Sequence, residues 1–121
     1  MARDAKLHAL FQFRLRIKRG DEIAVGPGKI ELLEAIAKAG SISAAARQLG
    51  MSYRRAWLLM DTMNRCFSAP LTSADAGGKH GGGTSLTRLG ADVVRRYRRI
   101  ERKAAQVAAA DINALLEFLS R

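Results

Sequence analysis

The amino-acid sequence predicts a mainly α-helical domain with a small β component. Three observations lead to this prediction. Residues 11–18 alternate strictly between apolar and polar side chains, which is the period of a β-strand. Residues 29–67 carry apolar side chains at helical spacing, in segments that glycines separate. After Thr87, an apolar seam recurs at steps of three and four residues over about four heptads, as in a long helix.

Length, charge and cysteine content limit the class of protein. The 121 residues suffice for one domain with one modest core. The net charge of +10 favours partners with dense negative charge, such as nucleic acid or an anionic membrane surface. We expect neither a membrane span nor a secretory leader, and therefore a cytoplasmic chain. The single cysteine, Cys66, and the histidines His8 and His80 form no metal-ligand cluster, so we expect no metal and no cofactor.

A strand and a turn are predicted near the N-terminus. The apolar face of the alternating segment consists of Phe11, Phe13, Leu15 and Ile17. We interpret its basic opposite face as solvated, with phosphate contact as the alternative. Residues 19–21 supply a turn, and a second short strand is expected at residues 22–25, before a cluster of glycine and proline.

The first helix is expected to be a scaffold. Pro27 suits its entry, because the missing N–H would have no partner there. Ile30, Leu33 and Ala37 share one face of the segment that follows. Gly40 is the expected C-cap.

Residues 41–67 have the layout of a helix-turn-helix. Ser41 and Ser43 can each cap its first helix, which Gly50 ends. Ser52 can cap its second helix. Small alanines in the first helix would let the two helices cross closely.

The second of these helices is predicted to enter the major groove of DNA with its N-terminal turns. Arginine is the commonest bidentate reader of guanine, so Arg54 or Arg55 would contact a base; contact with phosphates alone is the alternative. We expect the ring of Trp57 to pack in the core, with its N–H free to reach a phosphate. The predicted DNA-binding residues of this motif are Ser43, Ser52, Tyr53, Arg54, Arg55 and Trp57.

A glycine-rich hairpin is expected at residues 71–87. Short β-prone ends flank five glycines, and a hairpin after a helix-turn-helix is a wing, whose tip can lie along the DNA backbone or in the minor groove. Lys79 and His80, at this tip, are predicted DNA contacts, and a flexible loop without function is the alternative. The spacing of a Walker-type phosphate loop is absent, which disfavours nucleotide hydrolysis. The predicted fold is thus a winged helix-turn-helix.

Residues 88–121 are predicted to form one long C-terminal dimerisation helix in the same structural unit as the DNA-binding domain, residues 1–87. Its seam is too long to be buried against so small a domain, which implies a partner helix from a second subunit. The predicted dimerisation residues are Leu89, Val93, Tyr97, Ile100, Val107, Leu115 and Phe118. The helix is strongly basic as far as Lys103; we interpret this as a solvated flank, with direct DNA contact as the alternative.

With these motifs in view, the sequence resembles the DNA-binding domain of the ModE-type molybdate-responsive regulators, which is similar to the winged helix-turn-helix of LysR-type regulators. The resemblance covers residues 7–103 and rests on GPGKIELLEAIAKAGSISAAARQLGMSYRRAWLLMDTMN, followed by PL, GGKHGGG and LTRLG. It implies a homodimer that binds a two-fold site in double-stranded DNA and regulates transcription. It also implies a recognition helix that starts at Ser52 and a wing tip at Lys79 and His80.

ModE-type regulators sense molybdate through C-terminal oxyanion-binding modules, whereas this sequence stops at Arg121. Molybdate binding is therefore not expected in this chain. The sequence predicts a sequence-specific, homodimeric transcriptional regulator, with a non-specific architectural DNA-binding or adaptor protein as the alternative. A membrane-surface role ranks below both. Enzymatic activity ranks lowest, because no carboxylate pair, metal cluster or activated nucleophile stands out.

Overall fold

The computed structural model describes residues 11–75 and 83–120. Within them, two antiparallel strand pairs accompany five helices. In chain order the elements are β1 (Ile17–Arg19), β2 (Glu22–Val25), α1 (Pro27–Ala39), α2 (Ile42–Leu49), α3 (Tyr53–Cys66), β3 (Thr72–Asp75), β4 (Gly83–Leu86), α4 (Arg88–Val107) and α5 (Ala109–Glu117). The predicted class, mainly α with a small β component, is confirmed.

Helix α1 lies at the centre of the hydrophobic core, in contact with α2, α3, α4, β2 and β4. Pro27 occupies its first turn and Gly40 caps it with a φ of 78°, as the sequence predicted. The face of α1 was predicted incompletely, because Ala37 is exposed while Leu32 and Ala35 are buried. A helix with neighbours on several sides buries a wider face than a single stripe of residues can describe.

The helix-turn-helix has the predicted caps. The Oγ of Ser41 accepts a hydrogen bond from the backbone N–H three residues later, at 3.1 Å, and the Oγ of Ser52 does the same at 3.1 Å. Gly50 ends α2 with a φ of 67°. Ser43 is not a cap, because α2 already begins at Ile42. The buried residues of α2, Ala45 and Ala46, have small side chains, which lets α2 pack close to its neighbours.

The N-terminal strand is much shorter than predicted. Strand β1 contains three residues, and residues 11–16 form no regular structure. Its partner β2, which was predicted correctly, has only four residues, and the register is irregular between Ile17 and Lys18. The alternating segment therefore pairs with another strand only at its C-terminal end. Of its apolar side chains, Leu15 packs against the core, whereas Ile17 is 44% exposed.

The predicted long C-terminal helix is interrupted at Ala108, which separates α4 from α5. Ala108 has φ −92° and ψ 2°, outside the helical region. The two residues that follow it are alanines, the strongest helix formers, and no glycine or proline lies beside it, so nothing in the local sequence indicates the break.

The first half of the predicted dimer seam packs inside its own chain. Tyr97 is 3% exposed, and its hydroxyl donates a hydrogen bond of 2.7 Å to the carbonyl of Leu15. Leu89 and Val93 also pack against the core. The expectation that this half needs a second subunit was wrong, because α4 lies against α1 and buries its apolar face there.

A cluster of ion pairs, formed by Arg98, Glu34 and Glu101, connects α4 to α1. The guanidinium of Arg98 donates two hydrogen bonds to the carboxylate of Glu34, at 3.0 and 2.6 Å, and one to Glu101 at 2.7 Å. The hydrogen bonds to Glu34 are the main reason why the pKa of Arg98 is raised above its usual value. Two parallel bonds to one carboxylate fix direction as well as distance, so the cluster sets the orientation of α4.

Helix α4 touches the segment before β3 at Gly90. A Cβ atom on Gly90 would lie 2.0 Å from the carbonyl oxygen of Leu71. That carbonyl accepts a hydrogen bond of 2.9 Å from the N–H of Thr87, and the hydroxyl of Thr87 donates one of 2.7 Å to Pro70. Only glycine fits this contact.

We therefore expect Gly90→Ala to lower the free energy of unfolding by about 2–3 kcal/mol, since the methyl group displaces either Leu71 or α4. Gly28→Ala is the matched control, because a Cβ atom on Gly28 meets nothing within 4 Å. The control should leave stability unchanged or raise it by up to about 1 kcal/mol. Urea unfolding of both variants measures the difference, and equal midpoints would contradict the close contact.

Candidate nucleic-acid interface

Helix α3 has a buried side and an open side. Ala56 and Met63 are fully buried and anchor the helix to the core. In the first two turns, Tyr53 is 54% exposed, Trp57 43% and Leu58 48%. The N-terminal half of α3 therefore presents a mixed aromatic and apolar surface to the outside.

Two arginines on this half of the helix have no internal anion. Arg54 and Arg55 are both exposed, and neither takes part in an ion pair within residues 11–75 and 83–120. In contrast, Arg65 pairs with Glu22 and Asp61, and Arg98 with Glu34. The guanidinium groups at the start of α3 are thus available to an external anion.

The expectation that the ring of Trp57 packs in the core was wrong. Trp57 lines a shallow depression on the surface with Tyr53, Arg54 and Leu58. Ala56 is the residue of this turn that points into the core, and the buried alanines Ala45 and Ala46 fill the space beside α2. An indole ring does not fit between helices that approach so closely.

The predicted serines occupy different places. Ser52 is the N-cap of α3, so its Oγ already accepts a hydrogen bond from Arg55 N–H. Ser43 is exposed in the first turn of α2. Ser43 thus lies before the turn of the motif and Ser52 at its end, and no hydrogen bond among the described residues connects the two serines.

A hairpin follows α3, as predicted for a wing. Strands β3 and β4 pair from Thr72 opposite Leu86 to Asp75 opposite Gly83. Near the tip, Ser85 Oγ donates a hydrogen bond of 3.0 Å to Asp75. The predicted tip contacts, Lys79 and His80, lie outside the described residues.

Asn64 connects α3 to the hairpin, and it was missed in the sequence. Its Oδ1 accepts hydrogen bonds from the N–H groups of Leu71, at 2.8 Å, and Thr72, at 3.2 Å. Its Nδ2 donates one of 3.0 Å to Thr72 Oγ1. The only signal in the sequence is an asparagine near the end of a helix, which is weak, since asparagine often lies there for other reasons.

The second wing strand is attached at a different place. The N–H of Thr84 donates a hydrogen bond of 2.8 Å to the carbonyl of Gly40, in the turn between α1 and α2. A Cβ atom on Gly83 would lie 2.9 Å from that same carbonyl. The hairpin is thus held at two places, at the base of its first strand by α3 and near the outer end of its second strand by the turn between α1 and α2.

Helix α4 carries a basic surface that acids partly neutralise. Asp92 pairs with both Arg95 and Arg96, and the hydrogen bond from Arg96 lowers the pKa of Asp92 below its usual value. Other basic residues of α4 are exposed and take part in no ion pair among the described residues. They are Arg88, Arg99, Arg102 and Lys103.

Two kinds of feature are missing from the part of the chain that the structure describes. Residues 11–75 and 83–120 contain no group of three histidine, cysteine or acidic side chains that would hold a metal ion. None of their helices combines the length and the apolar character needed to cross a bilayer.

Comparison with known proteins identifies relatives along most of the chain. Residues 28–91 match the bacterial regulatory helix-turn-helix proteins of the lysR family. The chain is 43% identical over 83 residues to the molybdenum-pterin-binding protein MopB of Rhodobacter capsulatus, covering 69% of this chain and 31% of that protein. It is 37% identical over 114 residues to the DNA-binding transcriptional dual regulator ModE of Escherichia coli strain K12, covering 88% of this chain and 44% of that protein. It thus spans less than half the length of these curated relatives.

Solved structures of DNA complexes have a similar fold. The complex of the CbnR DNA-binding domain with DNA aligns with a TM-score of 0.55 and 23% identity, over 73% of this chain and 95% of that one. Full-length CbnR bound to its target DNA aligns with a TM-score of 0.53, over 69% of this chain and 27% of that one. At this identity the comparison shows the fold, a winged helix-turn-helix.

Replacing Asn64 tests how the wing is positioned. We expect Asn64→Leu to lower the free energy of unfolding by about 2–3 kcal/mol, because two backbone N–H groups lose their acceptor. Asn64→Asp keeps an oxygen that accepts both backbone hydrogen bonds, and the hydroxyl of Thr72 can rotate to donate in place of the lost Nδ2 donor, so the change should cost only about 1 kcal/mol, from a negative charge near the C-terminus of α3. Thermal unfolding of the two variants makes the comparison, and equal losses would show that the backbone hydrogen bonds do not fix the wing.

Proposed function

This chain belongs to the bacterial regulatory helix-turn-helix proteins of the lysR family, and from that premise we propose that it is a sequence-specific DNA-binding regulator of transcription. Its DNA-binding domain is of the ModE type. One observation supports the proposal most strongly. The start of α3 exposes two arginines that pair with no anion among the described residues, on a helix that Asn64 and the core hold beside a wing.

In this proposal the N-terminal turns of α3 enter the major groove. Arg54 and Arg55 supply charge and hydrogen-bond donors, and a guanidinium matches the O6 and N7 atoms of guanine. The net charge of +10 draws the chain toward DNA, and each phosphate contact releases counterions, so the affinity falls steeply as salt rises. The wing then lies on the backbone or in the adjacent minor groove, and we keep Lys79 and His80, which the sequence places between its two strands, as proposed DNA contacts.

Replacing Arg54 and Arg55 with alanine, singly and together, should therefore weaken DNA binding. Loss of an arginine that contacts a base should cost about 1–3 kcal/mol of binding free energy and relax the base preference at one position of the site. Loss of an arginine that contacts a phosphate should weaken binding to all sequences alike. It should also reduce by about one the slope of log affinity against log salt concentration. Binding to a duplex selected from a random library, and to scrambled DNA, measured over a series of salt concentrations, separates the two cases.

Arg19→Ala is the matched control. It removes the same charge from an exposed position opposite Glu22 in the β1–β2 pair, and Glu22 bonds to Arg65 in the last turn of α3. Arg19 thus lies at the end of α3 remote from Arg54, and its loss should change affinity only slightly. The proposal fails if the double variant at Arg54 and Arg55 binds as tightly and as selectively as the control.

We also propose that the chain acts as a homodimer, which the second half of the apolar seam supports. Val107 is 88% exposed, Leu115 66% and Phe118 82%. Ile100, 48% exposed, continues this surface toward the middle of α4. Exposed large apolar side chains on two successive helices are costly in water, and a second copy of the same helices would cover them in an isologous contact. Two copies would also match a two-fold site in DNA.

Charges introduced into this apolar surface should separate the subunits. We expect the double variant Leu115→Glu and Phe118→Glu to sediment as a monomer at micromolar concentration, where the unmodified chain sediments as a dimer. Gln106→Glu, on the exposed side of α4, adds a charge outside the apolar surface and should leave the dimer intact. If the unmodified chain sediments as a monomer, the homodimer proposal is wrong. That result would not affect the proposal that α3 contacts DNA.

A further inference from the structure

The surface around the start of α3 is more apolar than contact with phosphates requires. Tyr53, Trp57 and Leu58 are exposed to 54%, 43% and 48%, and with Arg54 they line one depression. We call these four residues the α3 patch. No other described segment of six residues combines three exposed large apolar side chains with an arginine that takes part in no ion pair.

The described part of the chain does not explain the apolar character of the patch. Trp57 and Leu58 are absent from the core cluster and from the partly buried residues packed against it. Met63 and Ala56 hold α3 in place from its opposite side. The exposed apolar area therefore contributes nothing to folding, and it costs solubility unless a ligand covers it.

Only one apolar group is available on the base edges in the major groove, namely the 5-methyl group of thymine. We propose that the α3 patch reads thymine methyl groups, with Leu58 and Trp57 as the contacting side chains. This inference rests on the proposed function and adds to it the chemical feature that α3 selects.

The helical spacing also places the selected thymine. Arg54 lies three residues before Trp57 and four before Leu58, so the three side chains are neighbours on one helix face. One helical turn rises about 5.4 Å, and successive base pairs are about 3.4 Å apart. When Arg54 contacts one base pair, the patch therefore meets the next one or two pairs. Each half-site should therefore contain thymine one or two base pairs from the pair that Arg54 contacts.

Deoxyuridine tests this proposal, because it keeps the pairing edge of thymine and lacks only the methyl group. A duplex preferred by the full chain is first selected from a random library, and its thymines are then replaced one at a time. At one or two positions in each half-site, the replacement should weaken binding about fourfold, the value of one buried methyl group. At all other thymines the affinity should stay the same.

Variants connect the effect to the patch. In Leu58→Ala or Trp57→Ala, deoxyuridine at the sensitive positions should no longer weaken binding, because the partner of the methyl group is gone. Both side chains are exposed, so the variants should unfold at the temperature of the unmodified chain. Ile17→Ala is the matched control, since Ile17 is 44% exposed in β1, and it should keep the full sensitivity to deoxyuridine.

Three results would count against the proposal, and they are distinguishable. If a preferred duplex exists but no thymine is sensitive, the patch reads no methyl group and the inference fails, while the sequence-specific function stands. The patch would then fit a protein surface instead. If the sensitivity persists in both patch variants, another part of the chain reads the methyl group. If no duplex is preferred over random DNA, this inference and the proposed function fail together.

Discussion

The arrangement of α3, the wing and α4 depends on the backbone of Leu71. Its side chain is fully buried, its N–H donates to Asn64 in α3, and its carbonyl accepts from Thr87 at the start of α4. The same carbonyl leaves no room for a side chain at Gly90. One residue thus joins the recognition helix, the first wing strand and α4, and none of the three can move without breaking a contact to the others.

The rigid inner side of α3 permits an outer side that folding alone would not favour. Unpaired arginines and exposed aromatic rings do not stabilise a small domain, and proteins depart from local rules of this kind mainly at functional sites. Ala56 and Met63 hold α3 against the core, while Asn64 fixes its end. Pre-ordered side chains lose less conformational entropy on binding, so under the proposed function this rigidity would raise the affinity for DNA.

Local features of the sequence were predicted well, and long-range contacts were not. Gly40, Gly50 and Ser52 mark helix ends through their own backbone or side chain, so the helix-turn-helix could be placed from the sequence. The burial of Tyr97 and the exposure of Trp57 depend on which helices meet, and periodicity alone does not contain that information. The same limit hid Asn64, whose three hydrogen bonds cross to a segment seven and eight residues away.

The central claim is that two copies of α3 read two matching half-sites in DNA. A hydroxyl-radical footprint of the full chain on a selected duplex tests it most directly. We expect two protected segments on the same face of the double helix, with centres about one helical turn of roughly 10 base pairs, or a multiple of it, apart. Even protection along the duplex, or the same pattern on random DNA, would contradict the claim and would favour an architectural protein instead.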